Sequence, residues 1–290
     1  MFKYFLMIQT YCGVLLKKTT IESFCEAFLA IFVLMKFIDT HAHLYVEEFE
    51  NDIHEVVAAA KANNIERVVL PNIDVASSNK LIKLYQSDPS FFTPMMGLHP
   101  CSVNEAYKAE LDQIEQHFLR HDFASVGEIG LDYYWDTTHK KDQIDAFRTQ
   151  VAWAKDKKLP IAIHCRGAFD DIISILEQEQ DGNLSGVLHC FTGNLKQAQI
   201  LTDMGFYLGI GGVLTYKNSG LDKTLSQLSL DHLVLETDAP YLSPTPFRGK
   251  RNQSAYLVYI AEKLAEVLSV KLEDVATTTT KNAQNLFNLK

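Results

Sequence analysis

The 290-residue chain is 47% hydrophobic with a net charge of −9, which admits one large soluble domain and argues against bulk electrostatic attraction to nucleic acid, since that needs a basic footprint. A nucleic-acid enzyme stays open, because bound divalent cations supply positive charge where phosphates sit. The five cysteines, Cys12, Cys25, Cys101, Cys165 and Cys190, are odd in number and scattered, without a CxxC spacing; this fits a reducing, cytoplasmic setting better than a disulfide scaffold.

Residues 1–34 stand apart. The apolar run 27–35 is too short to span a bilayer. The run near the start is interrupted by Gln9 and Thr10, with no small-residue cleavage site after it, so a secretory signal fits poorly. Met35 falls two residues before the first strand-like run. The expected organisation is therefore 1–34 as a mis-called, non-native extension, with a hydrophobic anchor as the alternative, and 35–290 as one domain without linkers.

Eight short apolar runs follow, at 37–40, 67–71, 92–98, 124–129, 160–164, 186–189, 206–210 and 233–236. They are continuous rather than alternating, which predicts strands covered on both faces, as in parallel sheets. Helical spacing of apolar residues appears at 51–63, 105–118, 141–155, 169–177, 195–204 and 254–268. This alternation predicts the α/β class and a single (β/α)8 TIM barrel, with a doubly wound open sheet as the alternative.

Active sites of such barrels lie at the C-terminal ends of the strands. His41 and His43 follow the first run one residue apart, and in extended backbone they point to the same side. Glu128 is expected at the end of strand 4, His164 of strand 5, His189 of strand 6 and Asp238 of strand 8. One strand-end histidine is more often a satisfied hydrogen-bonding residue than a ligand. Six such groups on one rim would crowd imidazoles and carboxylates together unless a cation sat among them. The mixed N/O donor set suits Zn²⁺, Mn²⁺ or Mg²⁺. Two ions fit if Glu128 bridges them, one taking His41, His43, Glu128 and Asp238, the other Glu128, His164 and His189. Such a pair would activate a water for attack on a phosphodiester, with Asp238 as general base.

These residues lie in a series of motifs: DTHAHL at 39–44, GLHP at 97–100, GEIGLDY at 127–133, HCRGAFDD at 164–171, HCFTG at 189–193, ETDAPYLSP at 236–244 and RGKRN at 248–252. In order and number they resemble the TatD family of metal-dependent deoxyribonucleases, within the amidohydrolase-like barrels, across essentially all of 35–290. The resemblance implies a hydrolase of nucleic-acid phosphodiesters that acts on DNA, often from the 3′ end of single strands. It also implies divalent metal held at His41, His43, Glu128, His164, His189 and Asp238. The chain departs from the usual pattern after RGKRN, where Gln253-Ser254 replaces Glu-Pro, and this bears on that loop's substrate contacts. Two other activities remain on the same barrel: hydrolysis of D-aminoacyl-tRNA, or of small esters and amides. Many small-molecule amidohydrolases place a lysine at the end of strand 4, where this chain has Glu128. A degenerate, non-catalytic barrel would have lost ligands, and none is missing.

Further residues are expected around the site. His99 would hydrogen-bond a substrate phosphate and Arg166 would clamp one, against a plain turn residue and an ion pair with Asp170 or Asp171. Arg248, Lys250 and Arg251 form the one dense basic run and are expected to bind the nucleic-acid backbone. Tyr133, Tyr134 and Trp135 are divided between stacking on unpaired bases and core packing. Asp132 would orient a ligand or cap a turn. Cys165 and Cys190 read as small buried packing residues.

Overall fold

Strand and helix alternate along all the described residues, 35–289 of this computed structural model. The expected extension at 1–34 lies outside them. Strands β1 (Phe37–Asp39), β2 (Ile65–Leu70) and β3 (Phe92–Pro94) pair in parallel in that order. Strands β4 (Val126–Asp132), β5 (Ile161–Arg166), β6 (Gly186–Leu188), β7 (Tyr207–Ile210) and β8 (Leu233–Leu235) form a second parallel arc. Hydrogen bonds close both seams. Met96 N–H donates to Ser125 O at 3.2 Å and Gly127 N–H to Met96 O at 3.0 Å; across the other seam Thr40 N–H donates to Leu235 O at 3.0 Å and His43 N–H to Ala239 O at 2.7 Å. The ring is the expected (β/α)8 barrel. All seven positions of β4 are buried, as a strand covered on both faces requires.

Helices α1 (Ile53–Ala62), α2 (Val75–Ser87), α3 (Tyr107–His117), α4 (Lys140–Lys157), α5 (Phe169–Glu179), α6 (Leu195–Asp203) and α7 (Leu221–Leu225) follow the first seven strands, and α8 (Leu257–Leu268) and α9 (Leu272–Phe287) follow β8. Three of these are absent from the helical pattern of the sequence. Helix α2 buries only Ser78, Leu81 and Ile82, so its apolar stripe is faint. Its start is written instead in a capping box, Ser77 N–H donating to Asp74 Oδ1 at 2.7 Å and Asp74 N–H to Ser77 Oγ at 3.0 Å. Helix α7 is a single short turn. Helix α9 carries four successive threonines, poor helix formers, and is held by tertiary contacts. Its Asn282 Nδ2 donates to the carbonyls of Leu230 and Leu233 at 2.8 Å each, and Thr280 Oγ1 to Lys36 O at 2.8 Å.

Ala283, Leu286 and Phe287 of α9 pack against Ile38, Val69, Met95, Ala162, Val187 and Val234 in one core layer. The barrel is thereby plugged at the strand N-termini and free to carry chemistry at the other end.

Candidate metal centre

Three polar residues sit two places beyond members of that core layer: His164 after Ala162, His189 after Val187 and Glu236 after Val234. Strand alternation therefore turns them into the barrel above the plug. The extended segment after β1 sits between Val69 and the β8 loop, with Ala42 N–H donating to Val69 O at 3.1 Å and Asp238 N–H to His41 O at 2.8 Å. His41 and His43 project together from it, their rings edge to face at 5.1 Å.

Glu128 is the hub of the cluster. Its Oε2 lies 3.0 Å from His41 Nε2 and 3.5 Å from His43 Nε2. Its Oε1 lies 2.9 Å from His189 Nε2, 3.0 Å from His164 Nδ1 and 3.3 Å from His99 Nε2. Asp238 Oδ1 approaches the first group, 3.6 Å from His43 Nε2 and 3.9 Å from His41 Nε2. The carboxylate thus divides the imidazoles into two sets, one on each oxygen. All six expected ligands converge, and His99 joins them.

The strand ends differ from expectation. Glu128 is the third residue of β4, which runs on to Asp132, and the strand register shifts between Val126 and Ile129. Glu128 N–H donates to Asn72 O at 3.1 Å, so the strand reaches across to the turn after β2 at this point. Two strand residues follow His164 in β5. Asp238 lies three residues beyond β8 with φ 57°. Gly130 explains part of the GEIGLDY motif: its φ is 137°, and a Cβ there would stand 2.0 Å from the His164 carbonyl oxygen.

Three buried carboxylates support the cluster. Asp132 caps the turn that follows β4, its Oδ1 accepting the Tyr134 N–H at 2.9 Å, and its Oδ2 lies 2.9 Å from His164 Nε2. Glu236 was not singled out by its sequence, although the Val234–Glu236 alternation marks it. Its Oε1 accepts the Cys190 N–H and lies 3.3 Å from His189 Nδ1, which makes no hydrogen bond, so charge rather than a hydrogen bond links the two. Asp39 accepts from Thr237 N–H at 2.9 Å and Thr237 Oγ1 at 2.6 Å. Asn252, fully buried, completes the support by donating from Nδ2 to Thr237 O at 2.7 Å and Tyr241 O at 2.6 Å. These bonds fasten the turn that presents Asp238. Asn252→Ala should destabilise the fold by about 2–4 kcal/mol, roughly 1–2 per orphaned carbonyl. Urea unfolding measures it, and a change under about 0.5 kcal/mol, the size of a surface substitution, would contradict the assignment.

The charges interlock. Burial raises the Glu128 carboxyl, but the imidazoles of His189, His99 and His41 outweigh it and hold the group well below the usual carboxylate range. Burial lowers His43, yet hydrogen bonds to Asp238 and Glu128 hold it up at about 9. His189 is raised in the same way by Glu128 and Glu236. Burial pushes His41 down, reinforced by His189, whose ring stacks on it at 3.8 Å. A neutral His41 beside protonated neighbours means that protons fill the space between carboxylates and imidazoles. His41 Nδ1 is buried without a hydrogen-bond partner. Divalent cations fit this donor set, because they replace those protons and take imidazole nitrogens and carboxylate oxygens together.

His43, His99, Glu128, His164, His189, Asp238 and Arg166 line a cavity of about 600 Å³. Cys101, Cys165 and Cys190 line it too, so the two cysteines expected as buried packing are instead partly exposed at the site. Arg248, Lys250 and Arg251 do not line it. Arg248 lies over the Tyr216 ring at 4.4 Å. Arg251 forks onto Asp52 at 2.8 and 2.6 Å and covers the Phe49 ring at 4.6 Å; it ties the β8 loop to the segment before α1. A larger cleft of about 1000 Å³ opens near Ala124, Pro160 and Ser185, just before strand starts, and no histidine lines it.

Among known proteins, the family model described as TatD related DNase matches residues 38–288. The chain is 38% identical over 252 residues to an uncharacterized metal-dependent hydrolase, YabD, of Bacillus subtilis (strain 168), covering 87% of this chain and 98% of that one. It is 30% identical over 257 residues to the 3′-5′ ssDNA/RNA exonuclease TatD of Pectobacterium atrosepticum, covering 87% and 99%. The crystal structure of YJJV, a TatD homolog from Escherichia coli K12, superposes with a TM-score of 0.83 at 27% identity, covering 88% and 98%.

Proposed function

The chain belongs to the TatD related DNase family and is a metal-dependent hydrolase, and from that premise we propose that it cleaves phosphodiester bonds of single-stranded nucleic acid, chiefly DNA, as an exonuclease. The observation that carries this reading is the division of the imidazoles between the two oxygens of Glu128. His41, His43, Glu128 and Asp238 would hold one divalent ion, and Glu128, His164 and His189 a second, with Mg²⁺, Mn²⁺ or Zn²⁺ as candidates. When bound, such ions supply Lewis acidity that polarises a phosphoryl oxygen and lowers the pKa of water.

The chain's own groups do the rest. Asp238 takes up the proton of the attacking water at Oδ1; burial raises its carboxyl, but the His43 hydrogen bond and the charges of His189 and His41 outweigh that and keep it ionised. His99 holds its Nε2 toward Glu128 while its Nδ1 accepts the Cys101 N–H at 3.0 Å, so it braces the cluster. Arg166, exposed at the rim, orients the phosphate. Arg248 and Lys250 are exposed and would meet the sugar–phosphate chain outside the cavity, whereas Arg251 is committed to Asp52. The same proposal places the protein in the cytoplasm, in keeping with free Cys101, Cys165 and Cys190; among the described residues no helix is long and apolar enough to cross a membrane.

End-labelled single-stranded DNA, duplex DNA and RNA, digested side by side with Mg²⁺ or Mn²⁺, test the reading. Single strands should shorten from the 3′ end, and chelator should stop the reaction. Turnover of a D-aminoacyl-tRNA or a lactone, with every oligonucleotide left intact, would overturn it.

A further inference from the structure

We infer that Trp135 and Tyr134, with Arg166 set against both rings, form a nucleobase-stacking platform at the rim of the cavity, which selects substrates whose bases beside the scissile bond are unpaired. The inference deepens the nuclease proposal and rests on it.

Among the described residues six large apolar side chains stay exposed, and apart from Leu119 and Val270 they gather here. Trp135 is 71% and Tyr134 63% exposed, and Tyr241 and Leu242 follow at 49% and 38%. Trp135, Tyr241 and Leu242 all line the cavity that holds Glu128 and the histidines. Core packing does not explain side chains this exposed. Tyr133 makes the contrast, because its hydroxyl donates to Asp171 Oδ2 at 2.8 Å and Lys140 covers its ring at 4.2 Å.

The two exposed rings are held rather than loose. They meet edge to face at 5.0 Å. The Arg166 guanidinium lies 3.8 Å from the Tyr134 ring centre and 5.1 Å from that of Trp135. Asp132 Oδ1 accepts the N–H groups of both residues, at 2.9 and 3.3 Å, while its Oδ2 meets His164 Nε2 at 2.9 Å. One carboxylate therefore sets the platform's position relative to the metal centre.

The chemistry of the pair selects the ligand. Among the described residues no carboxylate lies within ion-pair distance of Arg166, so its charge is free for a phosphate. An aromatic face beside a phosphate-binding cation matches a nucleotide, whose base stacks on the ring while its phosphate meets the guanidinium. A duplex hides its base faces in its own stack and offers nothing to the platform.

Two readouts test this. With wild-type protein, KM for a single-stranded oligothymidylate should lie about 5- to 100-fold below KM for the same strand ending in abasic residues, the range of a lost base–aromatic stack. Trp135→Ala should erase the difference and Trp135→Phe should restore most of it; an unchanged ratio in Trp135→Ala, or no discrimination by wild type, would overturn the platform. Tryptophan emission reads the contact without turnover, since the only other tryptophan, Trp153, is 9% exposed. Oligothymidylate should quench the emission of Asp238→Asn in Mg²⁺. Quenching there without cleavage by wild type would sink the nuclease reading and support the platform, whereas cleavage without quenching would overturn the platform alone.

Discussion

Glu128→Gln should lower metal-dependent turnover by about a thousandfold or more. The two oxygens of Glu128 reach different imidazoles, His41 and His43 on one and His164, His189 and His99 on the other. The amide keeps the volume but loses the charge that both sides share, and it replaces one of the two oxygens by an NH₂ group, so one set of imidazoles loses its oxygen altogether. Bound ions contribute several kcal/mol to stabilising a phosphoryl transition state, and each 1.36 kcal/mol is a factor of ten in rate. Steady-state kinetics at saturating metal measure the loss. A variant within tenfold of the parent would remove Glu128 from the centre of the account.

Asp238→Asn is the second large effect, expected at about 10²- to 10⁴-fold in kcat, the usual contribution of a positioned general base. Asparagine leaves an oxygen near His43 and His41 but cannot accept a proton in the working pH range. Metal binding should survive better than turnover, which separates this variant from Glu128→Gln. The pH dependence of metal binding has a definite sign. His43 carries its proton up to about 9, and Glu128 and Asp238 are ionised across the neutral range. A cation must displace imidazole protons, so affinity should rise with pH up to about 9 and fall in acid as protons reclaim the nitrogens. Equal kcat in Asp238→Asn and parent would assign the proton to another group.

Much of this was legible in the chain because a buried parallel strand writes itself as a continuous apolar run and ends where polarity begins. His41, His43, His164, His189 and Asp238 were readable for that reason. The helices were read less fully, since α2 has a thin apolar stripe and α9 is rich in threonine and depends on its contacts with the barrel floor. Glu236 obeys the same alternation as its neighbours and opens the ETDAPYLSP motif, yet it lies one residue beyond the end of β8, and Asp238 carried the reading of that segment. Cys190 was misread because the backbone breaks alternation there: its φ of 46° turns it toward the cavity instead of away from it. Arg251 could not be read at all, because its partner Asp52 is 199 residues away in sequence. Long-range ion pairs leave no local signal, whereas strand periodicity and strand ends do.

Metal titration tests the central claim most directly. Chelator-stripped protein, titrated with Zn²⁺ or Mn²⁺ at two pH values and in buffers of different ionisation enthalpy, should bind two ions per chain with net release of protons. Glu128→Gln should bind one ion or none with useful affinity. Binding of a single ion by the parent protein, or binding without proton release, would contradict a centre in which one carboxylate joins two sets of imidazoles.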